Sequence, residues 1–125
     1  MLARAQTAGW HTYGYERREH PVLRCCLQAV ASWSGLTEDQ VGQAVDGCGV
    51  VAFALPLESM ARAWSRLGKA VHAGDEVPSR VVHAMRTRPF LIGGTDRFDS
   101  VLVEETDGRA VAKIGAEGVH SVAVP

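Results

Sequence analysis

Lysine is scarce in this chain: Lys69 and Lys113 stand against eleven arginines. The basic residues form no tract and the net charge is −1. The electrostatic footprint that nucleic acid or an anionic membrane surface needs is therefore missing, and neither is expected as a partner. No apolar run nears the ~18 residues that a spanning helix requires. No charged-then-apolar leader with a cleavage site opens the sequence, so no secretion signal is expected. Cysteine is limited to Cys25, Cys26 and Cys48, which cannot all pair with one another. That usage points to a reducing, cytoplasmic compartment with thiols free or metal-bound. Repeats, linker-like tracts and low-complexity segments are also lacking.

What is present suits one domain, or part of a larger one. At 125 residues and 46% hydrophobic content, a compact chain buries ~65–70% of its unfolded surface. Met1–Ala8 is expected to make one or two helical turns, and 9–19 a loop broken by Gly9 and Gly14. Pro21 opens a helix at its first position. Val22, Cys25, Cys26, Ala29, Val30 and Trp33 recur at three and four and should line its buried face, with Gly35 as the stop. Thr37 and Gln40 have the spacing of a capping box. A second helix is expected from Phe53-Ala54-Leu55-Pro56 to about Leu67, stopped by Gly68. Lys69–Val77 reads as a loop. Pro78 should start a third helix, with Val81, Val82 and Met85 inward, halted before Pro89. Phe90–Gly94 reads as a buried connection. From Arg97 onward, helix is preferred over strand because Phe98, Val101 and Leu102 make a face. Asp107-Gly108 is a turn.

Two stretches carry possible chemistry. The first is Val111-Ala112-Lys113-Ile114, followed by the Gly115–Gly118 turn and a second apolar run, Val119–Val124. This reads as a β-hairpin with glycines supplying backbone freedom. A lysine, unlike an arginine, can give up its proton when desolvated and act as a base; Val111, Ile114 and Val119 could desolvate Lys113. The bland alternative is a strand lysine on a solvated face. A Lys-x-Gly strand also occurs in serine enzymes that use Ser-x-x-Lys. Here the residues three before the two lysines are Arg66 and Ala110, and Ser-Asp-Asn is lacking. If such a site exists, its nucleophile is not among these residues. The second stretch is Asp46-Gly47-Cys48-Gly49-Val50. Its glycines expose the sulfur, which could ligate zinc or act as a nucleophile. No second Cys or His lies at metal spacing, and a buried, inert thiol is the competing reading.

Taken in order, Gly14-Tyr15-Glu16 with His20-Pro21-Val22, Asp46-Gly47-Cys48-Gly49-Val50 with Phe53-Ala54-Leu55-Pro56-Leu57, Gly93-Gly94-Thr95-Asp96-Arg97-Phe98-Asp99, and Ala112-Lys113-Ile114-Gly115-Ala116-Glu117-Gly118-Val119 resemble the rhizobial-type L-asparaginase II family. The resemblance spans nearly the whole chain. Val51-Ala52 departs from it, standing where a proline and a small residue are usual.

The resemblance implies hydrolysis of asparagine to aspartate and ammonia. It also implies an α+β fold like that of serine β-lactamases and glutaminases, with helices packed against an antiparallel sheet. Lys113 then matches the strand lysine of a catalytic Ser–Lys pair, and Cys48 a zinc ligand. The remaining zinc ligands belong to a Cys-Ser-Gly-Lys-His block that the family carries just upstream of a Met-Leu-Ala like Met1-Leu2-Ala3. On this reading 1–125 is a single partial domain. It lacks the catalytic serines and the final strands, is inactive alone and binds no zinc alone. The longer protein takes asparagine and could be a homodimer. The alternatives are a non-catalytic remnant or interaction module, and a glutaminase or penicillin-recognising relative; the Asp-Gly-Cys-Gly block argues against the latter.

Other residues receive plain expectations. Cys25 and Cys26 should be core or half-buried thiols, and Trp33 and Trp64 core. Trp10 could pack on a part outside these residues. Residues 16–19 form a solvated charge cluster. His11, His72, His83 and His120 are given no catalytic role. Asp96, Arg97 and Asp99 should make a salt bridge or helix cap rather than a substrate contact, and the role of Glu117 is open.

Overall fold

The computed structural model describes residues 1–125. The chain is α+β, with six helices and two separate two-stranded antiparallel sheets. It divides into two compact units, Met1–Ser59 and Met60–Pro125.

The first unit holds α1 (Leu2–Thr7), α2 (Pro21–Ser34), β1 (Gly42–Val45) and β2 (Val51–Ala54). Its core is Val22, Leu23 and Val51, with Trp10, Tyr15 and Phe53 packed against them. Trp10 thus finds its partners inside the unit, and the Arg4 guanidinium lies 5.2 Å over its ring. Both ends of α2 follow from sequence. His20 is the N-cap: its Nδ1 accepts the Val22 N–H at 3.2 Å. That leaves the proton on Nε2, which donates to the His11 carbonyl at 2.9 Å. Gly35 ends the helix in the left-handed region, φ 74°, where a side chain is strained. The buried face is turned from the expected one: Val22, Leu23, Ala31 and Ser34 are buried, Ala29 is exposed, and Cys25 and Cys26 are half-buried. At Glu38–Gln40, a single 3-10 turn, the Thr37 N–H donates to the Gln40 side chain at 3.0 Å.

The expected second helix begins too early. Val51–Ala54 is a strand, paired with β1 from Gly42↔Ala54 to Val45↔Val51. Pro56 is the reason, because its ring disfavours helical backbone at the preceding Leu55. Gly42 permits the pairing: a Cβ there would lie 3.1 Å from that of Ala54.

The second unit contains most of α3 (Leu57–His72), then α4 (Glu76–Thr87), α5 (Pro89–Gly93), α6 (Phe98–Glu105), β3 (Val111–Ile114) and β4 (His120–Ala123). Val82, Met85, Val103, Val111 and Ala123 form its core, backed by Trp64, Leu67, Val71 and Ile92. Gly68 does not end α3, which runs on to His72. Gly68 is a packing glycine: a Cβ there would sit 3.4 Å from the Val124 carbonyl. The break comes at Gly74, φ 83°. α4 starts at Glu76, so Pro78 lies in its first turn, where an N–H has no helical partner anyway. Val82 and Met85 point inward as expected, whereas Val81 is exposed.

The expected buried connection at Phe90–Gly94 is instead the short helix α5, with Phe90 and Leu91 exposed. Helix α6 forms as expected but buries Asp99, Ser100 and Val103, leaving Phe98 and Val101 outside. Gly93 explains the turned face. A Cβ at Gly93 would come within 2.8 Å of Ser100 Oγ, so α5 and α6 meet through small groups. Ser100 Oγ donates to the Gly94 carbonyl at 2.7 Å.

Candidate functional site

Cys48 belongs to the first unit and Lys113 to the second. Each sits on its own hairpin.

In the Lys113 hairpin, β3 pairs with β4 so that Lys113 faces Ser121 and Ile114 faces His120. The connection is tight: the Gly115 N–H donates to the Val119 carbonyl at 2.6 Å, and Glu117 and Gly118 take left-handed φ values of 55° and 76°. The open question about Glu117 thus has a conformational answer, a turn position. Val111 and Ala112 are buried while Lys113 is exposed. The expected desolvation by Val111, Ile114 and Val119 is not present, since Val119 is itself exposed. Lys113 Nζ donates to the Ile114 carbonyl at 2.8 Å.

Beneath this strand lies a group that sequence reasoning underrated. Asp99, only 2% exposed, accepts the Ile114 N–H on Oδ2 at 3.0 Å. Its Oδ1 is buried without a hydrogen-bond partner and lies 3.9 Å from His120 Nδ1. That distance allows an ion pair with a protonated imidazole but is too long for a hydrogen bond. Phe98 meets the His120 ring edge-on, with 4.9 Å between centroids. The residue nearest to Asp99 for the expected salt bridge is His120, for which no catalytic role is expected. Helix capping is not its function, since α6 starts after Arg97 without a side-chain cap. The available signal is an adjacent aspartate and serine, Asp99-Ser100, set among the apolar Phe98, Val101, Leu102 and Val103.

Cys48 occupies the β1–β2 turn. Asp46 organises it: its N–H donates to the Val50 carbonyl at 3.0 Å, and its carbonyl accepts the Gly49 N–H at 3.0 Å. Its Oδ1 accepts the Cys48 N–H at 2.8 Å. The Cys48 thiol, then the Cys48 N–H, hold the Asp46 carboxyl below its ordinary value. Cys48 is exposed, so it is not a buried, inert thiol. No three His, Cys, Asp or Glu side chains gather into a metal-binding group. Cys48 therefore stands as a single donor, where zinc sites use three or four.

A cavity of about 500 Å³ in the second unit is lined by Trp64, Ser65, Lys69, His72, Val122 and Val124 among others, and Lys113 is not part of its wall. No helix is long and apolar enough to cross a membrane.

The chain is α+β, with an exposed strand lysine on one hairpin and an exposed, glycine-flanked cysteine on the other. Residues 1–125 match the family model of L-asparaginase II, and the chain belongs to that family. Membership supports asparaginase-type function and a small-molecule substrate. No curated protein matches the chain.

Proposed function

We propose that the chain is part of an asparaginase of the Ser–Lys type: Lys113, in the second unit, serves as a base, and Cys48, in the first, as one ligand of a zinc ion completed by residues outside 1–125. The family match over the whole chain carries this reading. The reaction transfers the side-chain acyl group of asparagine to an activated serine, with ammonia leaving, and water then releases aspartate. Activation needs a base beside the hydroxyl. Lys113 can supply it once the exposed ammonium is covered and loses its proton.

The 125 residues alone then hydrolyse no asparagine. None of Ser32, Ser34, Ser59, Ser65, Ser79, Ser100 or Ser121 has a lysine three residues on, and groups that act as a unit lose nearly all their effect when one is missing. The test is ammonia release from asparagine by chain 1–125 and by a form extended upstream to include a Cys-Ser-Gly-Lys-His block and a Ser-x-x-Lys. The short chain should stay at background and the longer one should turn over. Release by the short chain, lost on mutating one of its own serines, would overturn the reading. A longer form with no activity on asparagine or glutamine would favour a non-catalytic module, which the exposed, backbone-tethered Lys113 also fits.

A further inference from the structure

We propose that Asp99 is the positioning residue for Lys113, an inference that rests on the reading of Lys113 given above. The geometry is a short chain of contacts. Asp99 Oδ2 takes the N–H of the peptide that joins Lys113 to Ile114, at 3.0 Å. The next carbonyl, that of Ile114, takes Lys113 Nζ at 2.8 Å. Ile114 is thus gripped twice, by the buried carboxylate through its N–H and by the lysine through its carbonyl.

Strand geometry puts this grip on the edge of β3 that faces away from β4. β3 has one neighbour, β4, in a two-stranded sheet. The Gly115 N–H points to β4, where it meets the Val119 carbonyl, so the adjacent Ile114 N–H points to the free edge. Asp99 projects from α6 to meet it there. The Asp99 side chain is 2% exposed and its Oδ1 has no hydrogen-bond partner, and a buried polar group left half-satisfied contributes little to stability. An apolar residue in this place would cost less but could not hold the strand at the residue beside the lysine. His120 Nδ1, 3.9 Å from the idle oxygen, and the Phe98 ring against His120 close the arrangement on the β4 side.

The chain's scarcity of lysine gives a direct test. Reductive methylation of chain 1–125 with ¹³C labels two lysines, Lys69 and Lys113, and the α-amino group. The Lys113 signal is assigned by its loss in Lys113→Ala. In Asp99→Ala the Lys113 methyl signal should move while that of Lys69 stays, and exchange of the Ile114 amide should quicken by at least about tenfold, the loss of one charge-assisted hydrogen bond. Asp99→Asn keeps an acceptor oxygen and should return both readouts toward wild type. Should Asp99→Ala fail to fold, Asp99→Glu displaces the acceptor by one methylene and should move the Lys113 signal where Asp99→Asn does not. A Lys113 signal unmoved in every folded variant, with only the Ile114 amide affected, reduces Asp99 to a strand anchor and overturns the proposal. None of these readouts needs turnover. Indifference of the active longer form to Lys113→Ala would end the catalytic reading of Lys113 while leaving the Asp99 coupling measurable.

Discussion

The two hairpins are alike in length and opposite in what holds them. The β1–β2 hairpin is fixed from within its turn, where Asp46 bonds Cys48, Gly49 and Val50, and seven of its eight paired residues are half-buried or exposed. The β3–β4 hairpin is fixed from outside. Val111, Ala112 and Ala123 enter the core, and Asp99 clamps the strand from α6. A turn-fixed loop can present a thiol with little help from the rest of its unit. A base that must sit at one distance from a nucleophile needs a strand tied to a core. The difference matches the roles proposed for Cys48 and Lys113.

The largest expected effect breaks the comparison by function. In the active longer form, Lys113→Ala should lower turnover of asparagine by roughly 10²- to 10⁴-fold, the worth of a positioned base, with bound zinc unchanged. Cys48→Ala should lower zinc content first. Ammonia release and metal analysis on the same preparations decide it, and variants that affect both quantities alike would show that the two hairpins do not have separate roles. Next in size is stability. Val111 is fully buried and Val45 is 67% exposed. Val111→Ala should cost about 2 kcal/mol from lost burial and the cavity left behind. Val45→Ala should stay within about 0.5 kcal/mol. Equal shifts in denaturant midpoint would mean that the β3–β4 hairpin is not the core-anchored one. Smaller still is metal retention by 1–125 itself: dialysis against a mild chelator should leave well under one zinc per chain, as a single thiolate predicts. Stoichiometric zinc would reveal ligands that a histidine is the first candidate to supply.

The same contrast explains what could be read in advance. α2 was legible because Pro21 and Gly35 mark its ends with local stereochemistry. The β3–β4 hairpin was legible because Val111 and Ala112 on one side and the Gly115–Gly118 turn on the other form a local pattern. The β1–β2 hairpin was not, since strands with almost no buried face leave no alternation to see. Gly68 carried the signal of a helix stop, yet its smallness serves the approach of Val124, a contact distant in sequence. Asp99 and His120 come together only after α6, β3 and β4 are stacked in order. No spacing rule pairs an aspartate on a helix with a histidine on a strand, so this part of the candidate site waited for the fold.

The smallest expected effect concerns the turn of the Cys48 hairpin. Asp46 is ionised when it accepts the Cys48 thiol and N–H, and those bonds lower its folded-state pKa below the ordinary 3.8. A group lowered on folding contributes stability that is fully present above its unfolded value and is lost as pH falls through the folded one. The Cys48 amide resonance should therefore hold steady from neutral pH down to the ordinary carboxylate range. It should move only below that, as Asp46 takes its proton and the accepted bond weakens. Because Asp46 is fully exposed, the change should stay local, shifting the Cys48 and Gly49 amides while the Ile114 amide on the other hairpin reports nothing of Asp46. Asp46→Ala should remove the acid response at Cys48 and leave the Ile114 amide as it was. A Cys48 amide indifferent to strong acid, or an Ile114 amide that follows Asp46→Ala, would show that the first hairpin is not held by its own turn.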